Sequence, residues 1–182
     1  MKIESPTTGT TVEVTSENRI LTDSKSASFG QVASAQGSAF TLNSHDATAA
    51  AGTYILYLQN TDTDEDFLVD LAWVGGVASI LWKVWFVTGT AAGGNALTPV
   101  NLNKSSNKEA SITARGDDSI TGLSTDGEIS TRRSVASSGI GIDYDGQLRL
   151  GLNDAIAFEA DAVTSTDVAE VFIRGHFEKR ES

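Results

Sequence analysis

The chain has 182 residues, and Lys+Arg 13 against Asp+Glu 24 gives a formal charge of −11. Its surface as a whole is therefore expected to repel nucleic-acid phosphates and anionic lipid. The absence of cysteine rules out a disulfide framework, a zinc–thiolate site, an iron–sulfur cluster and a thiol nucleophile, and 2 histidines are too few for a His-rich metal centre.

In chain order, Met1-Lys2-Ile3-Glu4-Ser5-Pro6 lacks the basic start and apolar stretch of a secretory signal, so no export is expected. Residues 1–35 are dominated by Ser, Thr, Gly, Gln and Ala and bury little by themselves, which reads as an extended N-terminal arm ahead of a body over 36–182. Within the arm only Thr11-Val12-Glu13-Val14 and Arg19-Ile20-Leu21 have strand character. Such an arm either orders against a neighbouring subunit, with Val12 and Val14 as its candidate interface residues, or is a mobile terminus.

From Ser38 onward, β-branched and aromatic runs alternate with Gly, Asn, Asp and Ser clusters. Strands are expected near Ala39–Asn43, Tyr54–Asn60, Phe67–Val74, Ser79–Val87, Glu109–Arg115, Glu128–Val135, Gly139–Tyr144, Gln147–Leu152, Ala155–Asp161 and Val168–Glu178. The fold class that follows is an all-β, two-sheet sandwich. Ala47–Ala51 is the best candidate for a helical turn. Asp145-Gly146 has the chemistry of a two-residue hairpin turn, and Asp126-Gly127 that of a second turn. The window Phe67–Val87 is long enough to span a bilayer, but Asp70, Lys83 and Gly75-Gly76 divide it into two strands and a turn. Alternation there places Phe67, Val69, Leu71 and Trp73 on one side of the first strand, and Ile80, Trp82, Val84 and Phe86 on one side of the second. Tyr54–Leu58 does not alternate, and the face opposite Trp82 also carries an indole, Trp85. A second buried surface is implied: Trp85 lies under a loop of its own subunit, or Trp85 and Tyr57 belong to a subunit interface.

No catalytic, cofactor or metal site stands out, and the chain reads as a non-enzyme. Asp62–Asp66 begins like a calcium loop but has Phe67 where Gly is needed and Trp73 where a bidentate Glu is needed. Asp62–Asp66 and Asp143–Asp145 read as acidic turns, able to hold calcium weakly only if the fold brings them together. Ser44-His45-Asp46 cannot form a triad, because neighbours on an extended chain point in opposite directions. His176 shares a strand face with Glu170, Arg174 and Glu178, which suits cross-strand charge pairing. Arg115-Gly116-Asp117 spells an adhesion tripeptide by chance, and Gly89, Gly93 and Gly94 lack the Lys-Ser/Thr and helix of a phosphate loop.

Trp82-Lys83-Val84-Trp85, the loop Gly89-Thr90-Ala91-Ala92-Gly93-Gly94 and the run Leu97-Thr98-Pro99-Val100-Asn101-Leu102-Asn103 form a pattern that continues in Ile142–Gly146, Ala155–Ala160 and Ile173–Glu178. Over Tyr54–Glu178 this resembles small structural proteins of tailed-phage virions, of the capsid decoration or cement type. The resemblance implies a jelly-roll-like β-sandwich subunit, commonly a homotrimer, that binds the major capsid protein on the outer head surface and stabilises the shell. It also implies a virion location after assembly in the host cytoplasm. No cofactor, nucleic acid or membrane enters that picture. The alternative is a receptor- or carbohydrate-binding module of a tail or fibre, with Tyr54, Tyr57, Trp73, Trp82 and Trp85 as stacking candidates.

Overall fold

The structure, a computed structural model, describes residues 2–4, 11–14, 20–21, 29–162 and 167–180. Near the N-terminus, β1 (Lys2–Glu4), β2 (Thr11–Val14) and β3 (Ile20–Leu21) form a three-stranded antiparallel sheet, with Val12 opposite Ile3 and Val14 opposite Ile20. The side chains of Val12 and Val14 lie outside the described residues. A helix, α1 (Phe29–Ala35), follows and packs on the body through buried Ala33. The last residues of the expected arm are thus helical and attached to the sandwich.

The body consists of β4 (Ala39–Ala49), β5 (Thr53–Asn60), β6 (Glu65–Gly76), β7 (Leu81–Ala92), β8 (Asn95–Ala96), β9 (Val100–Asn101), β10 (Ile112–Arg133), β11 (Ser138–Leu150), β12 (Ala155–Ala162) and β13 (Asp167–Lys179). One sheet has the order β11-β6-β13-β4-β9 and the other β5-β12-β7-β10-β8, and all their pairings are antiparallel. We call them the Trp73 sheet and the Trp85 sheet. Successive long strands alternate between the two sheets except at β7–β10, the connectivity of a jelly roll. The all-β sandwich expected from the strand pattern is the observed fold. Among the described residues no helix is long and apolar enough to cross a membrane.

The core lies between the sheets. Phe40, Leu42, Phe67, Val69, Val74, Val171 and Ile173 from one face Leu56, Leu58, Trp82, Val84, Ile156 and Phe158 from the other. Trp82, fully buried, donates its Nε1–H to Ser134 Oγ at 3.3 Å. Asn60, also fully buried, donates to Glu65 O and Leu150 O at 3.0 and 2.9 Å, tying the two sheets at that end. No buried side-chain nitrogen or oxygen among the described residues lacks a partner, as close packing requires.

Two departures from the sequence reading share a cause: long strands that bulge where turns were expected. Ile140–Asp143 and Leu148–Leu150 both pair with β6 in the same direction, with a register shift between them. Asp145 (φ 48°) and Gly146 (φ 69°) do adopt the left-handed conformation, but they form a bulge of extra residues rather than a hairpin. Similarly, Thr125 and Gly127 face Val87 and Phe86, so Asp126 is an extra residue inside β10. The two strands expected on either side of it are one. The helical turn expected at Ala47–Ala51 is absent up to Ala49: β4 continues to that residue, and pairing with β13 overrides alanine's helix propensity.

A bulge also breaks the alternation expected for β6. Arg174 faces Leu71 while Gly175 faces Val69, leaving Asp70 as the extra residue. Phe67 and Val69 therefore point into the core together with Ala72 and Val74, and Leu71 and Trp73 point outward. Ile80, just ahead of β7, and Trp82 and Val84 on it are core as expected, whereas Phe86 is exposed.

Candidate functional site

The outer face of the Trp85 sheet carries a second apolar cluster. Tyr57, Val87, Ala155 and Ala157 pack with Ile120, Leu123 and Ala91, from the middle of β10 and the far end of β7, where β10 passes from pairing with β5 to pairing with β7. Gly89 (φ 102°) and Gly122 (φ 80°) make this possible, since a Cβ on Gly89 would lie 2.4 Å from Gly122 O. Tyr57 is 2% exposed, so its own chain accounts for its burial and it offers no surface to a partner. Trp85 stays partly exposed at the edge of this cluster, its Nε1–H donated to Glu159 Oε2 at 2.6 Å. Lys83 Nζ lies 5.8 Å from the Trp85 ring centroid and 3.0 Å from Asp161. Burial first, and then the Glu159 charge, push the Tyr54 hydroxyl above its ordinary pKa.

The outer face of the Trp73 sheet is arranged differently. Cross-strand pairing sets Gly141, Trp73, Phe172 and Asn43 in one row and Gly139, Gly75, Glu170 and His45 in the next. Trp73 leans from its own row onto Gly139 and Gly75, beside an open cleft of about 200 Å³. His45 Nε2 stands 3.9 Å from Glu170 Oε1.

Carboxylates converge at one place among the described residues. Oxygens of Asp46, Asp117 and Asp118 lie within 4.8 Å of one another, at the break in the β10–β5 ladder between Gly116 and Ile120. Asp46 is buried and accepts from the Thr48 and Asp118 backbone N–H groups, both at 2.6 Å. Desolvation, then the charges of Asp46 and Asp117, raise the Asp118 pKa. Burial would also raise Asp117, but hydrogen bonds from the Ser119 hydroxyl and from the Ser119 and Asn95 N–H groups outweigh it and lower that pKa. The sequence placed these aspartates in two unrelated motifs. Its one available signal was polar Ser44 and Asp46 at inward positions of an alternating strand.

The two acidic turns do not form this cluster. Asp62 accepts backbone N–H bonds from Asp64 and Glu65, both at 2.8 Å. These bonds, with Ser111 and Lys108, override the effect of burial and lower its pKa. Asp66 is held by Arg180 at 2.7 Å and Arg149 at 3.1 Å, and Arg149 continues to Glu178 at 2.7 Å. His176 is 4% exposed and meets Asp70, the bulged residue of β6, at 3.1 Å. The residues directly opposite His176 in the ladders are Leu68 and Ala39, so its carboxylate contact comes from the bulge. The Arg115-Gly116-Asp117 tripeptide is bound within the fold, Arg115 to Gly93 O at 2.8 Å and Asp117 to Asn95 N at 3.1 Å.

The chain matches no protein-family model, no curated protein and no solved structure.

Proposed function

We propose that this chain is a non-catalytic structural protein of a tailed-phage virion, a decoration or cement subunit that binds the major capsid protein on the outer head surface as a homotrimer. The observation that carries the reading is the jelly-roll sandwich, the fold that the resemblance over Tyr54–Glu178 implies. The partly exposed Trp85 supports it as a candidate contact: its hydrogen bond to Glu159 holds a large aromatic in place, so little rotamer freedom is lost when a partner covers it. A subunit that binds only the assembled shell stabilises it by mass action, more as occupancy rises.

Sedimentation velocity of the full chain, alone and mixed with shells lacking an outer-surface protein, tests this. A trimer that co-sediments at fixed stoichiometry supports the proposal, and a species that ignores the shells overturns it. Trp85→Ala is expected to weaken either the trimer or shell binding while the body stays folded. Removal of residues 1–28, which leaves α1 in place, tests the arm's share of shell binding.

A further inference from the structure

The Trp73 indole is laid flat on its sheet. On this face a Cβ points away from the strands, and one on Gly139 would fall 1.8 Å from Cζ2 and 1.9 Å from Cε2 of Trp73, while one on Gly75 would fall 2.7 Å from Cη2. The ring therefore occupies the space directly above two glycines on neighbouring strands, with one face against backbone. Trp73 remains partly exposed and lines the cleft. Any larger residue at 139 would lift the ring off the sheet, so the glycine fixes a platform.

Polar groups surround it. Ser137, in the turn before β11, and Ser138, its first residue, line the cleft, Glu170 lines it from β13, and Val77 and Val168 complete an apolar margin. Glu170 lies in the same cross-strand row as the two glycines, and its 3.9 Å separation from His45 is longer than a hydrogen bond. Serine hydroxyls donate and accept, and a carboxylate accepts. Together with a flat aromatic surface, this set matches a ring that has an apolar C–H face and hydroxyls at its edge. No lysine or arginine lines the cleft, and the chain carries −11 overall, which disfavours phosphorylated, uronate or sialylated ligands. The volume of about 200 Å³ is below that of pockets for drug-sized ligands and suits a single ring.

We propose that this cleft is a subsite for one neutral pyranose of a glycan, stacked on Trp73 and hydrogen-bonded by Glu170 and the Ser137–Ser138 hydroxyls. It lies on the sheet opposite Trp85 and does not depend on the assembly reading. The test uses the full-length protein without shells: neutral tri- and tetrasaccharides of glucose, galactose, mannose and N-acetylglucosamine, with sialyllactose as the anionic control, are titrated by saturation-transfer NMR and tryptophan fluorescence. At least one neutral saccharide is expected to bind saturably and more tightly than sialyllactose. Trp73→Ala should weaken it by about tenfold or more and Glu170→Gln by about threefold. Should Trp73→Ala fail to fold, Glu170→Gln and Ser138→Ala, both at the surface, carry the same comparison. Absence of saturable binding by every neutral saccharide, preference for the sialylated one, or binding unchanged in the folded variants would overturn the proposal.

Discussion

Tyr57 and Trp73 are both large aromatics on the outward face of a strand, yet Tyr57 is 2% exposed and Trp73 remains open to the cleft. The difference lies in what the neighbouring chain does. On the Trp85 sheet, β10 pairs with β5 through its first part and with β7 through the rest, and Leu123 and Ala91 join Tyr57 in a second small core. On the Trp73 sheet no strand among the described residues pairs back over the ring, and Trp73 rests on Gly139 and Gly75 beside a cleft lined by Val77, Val168, Glu170 and the two serines. An aromatic at a solvent-side strand position is thus a packing element where neighbouring side chains enclose it and a surface platform where they do not.

The contrast makes its largest prediction in stability. Tyr57→Ala opens a cavity in the second cluster and is expected to cost about 3–5 kcal/mol, whereas Trp73→Ala removes a partly exposed ring and should cost less, about 2 kcal/mol. Urea denaturation of the two variants compares the faces directly, and equal losses would erase the distinction.

On the Trp73 sheet, order at one end comes from ions. The Asp66 side chain is 9% exposed between Arg180 and Arg149. Burial opposes its ionisation, but the two guanidinium groups win and lower its pKa below 3.8. Its stabilising contribution is therefore full above the unfolded-state value and is lost as pH falls through the lower folded-state value. Asp66→Asn is expected to cost about 1–2 kcal/mol at pH 7, since both arginines are partly solvated. The gap from the parent protein should narrow progressively below pH 4 in the same denaturation assay.

Gly139→Ala should displace the Trp73 ring for about 1 kcal/mol, shift the tryptophan emission and weaken saccharide binding in parallel. An unchanged spectrum would show that the glycine does not set the platform. The smallest effect is expected at the break in the β10–β5 ladder. Asp118, with its pKa raised by burial and by Asp46 and Asp117, is unfavourable when ionised. Asp118→Asn should raise stability at pH 7 by less than about 1 kcal/mol. That gain should disappear as pH falls below the ordinary carboxylate value, where the parent side chain is protonated in both states.

The existence and type of the body strands were legible because β-branched and aromatic runs are local signals; the two-faced apolar character of Tyr54–Leu58 and of the Trp82–Trp85 segment was legible for the same reason. The bulges were not. Asp145-Gly146 reads as a hairpin because its backbone preference is local, and that preference is satisfied in the structure. Whether the chain then reverses or continues depends on β6 being long enough to pair with both halves of β11. The same non-local register at Asp70 took Trp73 off the side it shares with Phe67 and Val69 under strict alternation and put it on the outer face.

Composition and pattern by themselves thus determined an acidic all-β sandwich without cysteine chemistry, since residue types and a period of two are sufficient for that. Tertiary structure alone decided the rest: which face of each strand is inward, that Tyr57 is enclosed while Trp73 is open, and that Asp46 meets Asp117 and Asp118. One extra residue in a strand reverses every side chain beyond it, and only the partner strand shows whether that residue is extra.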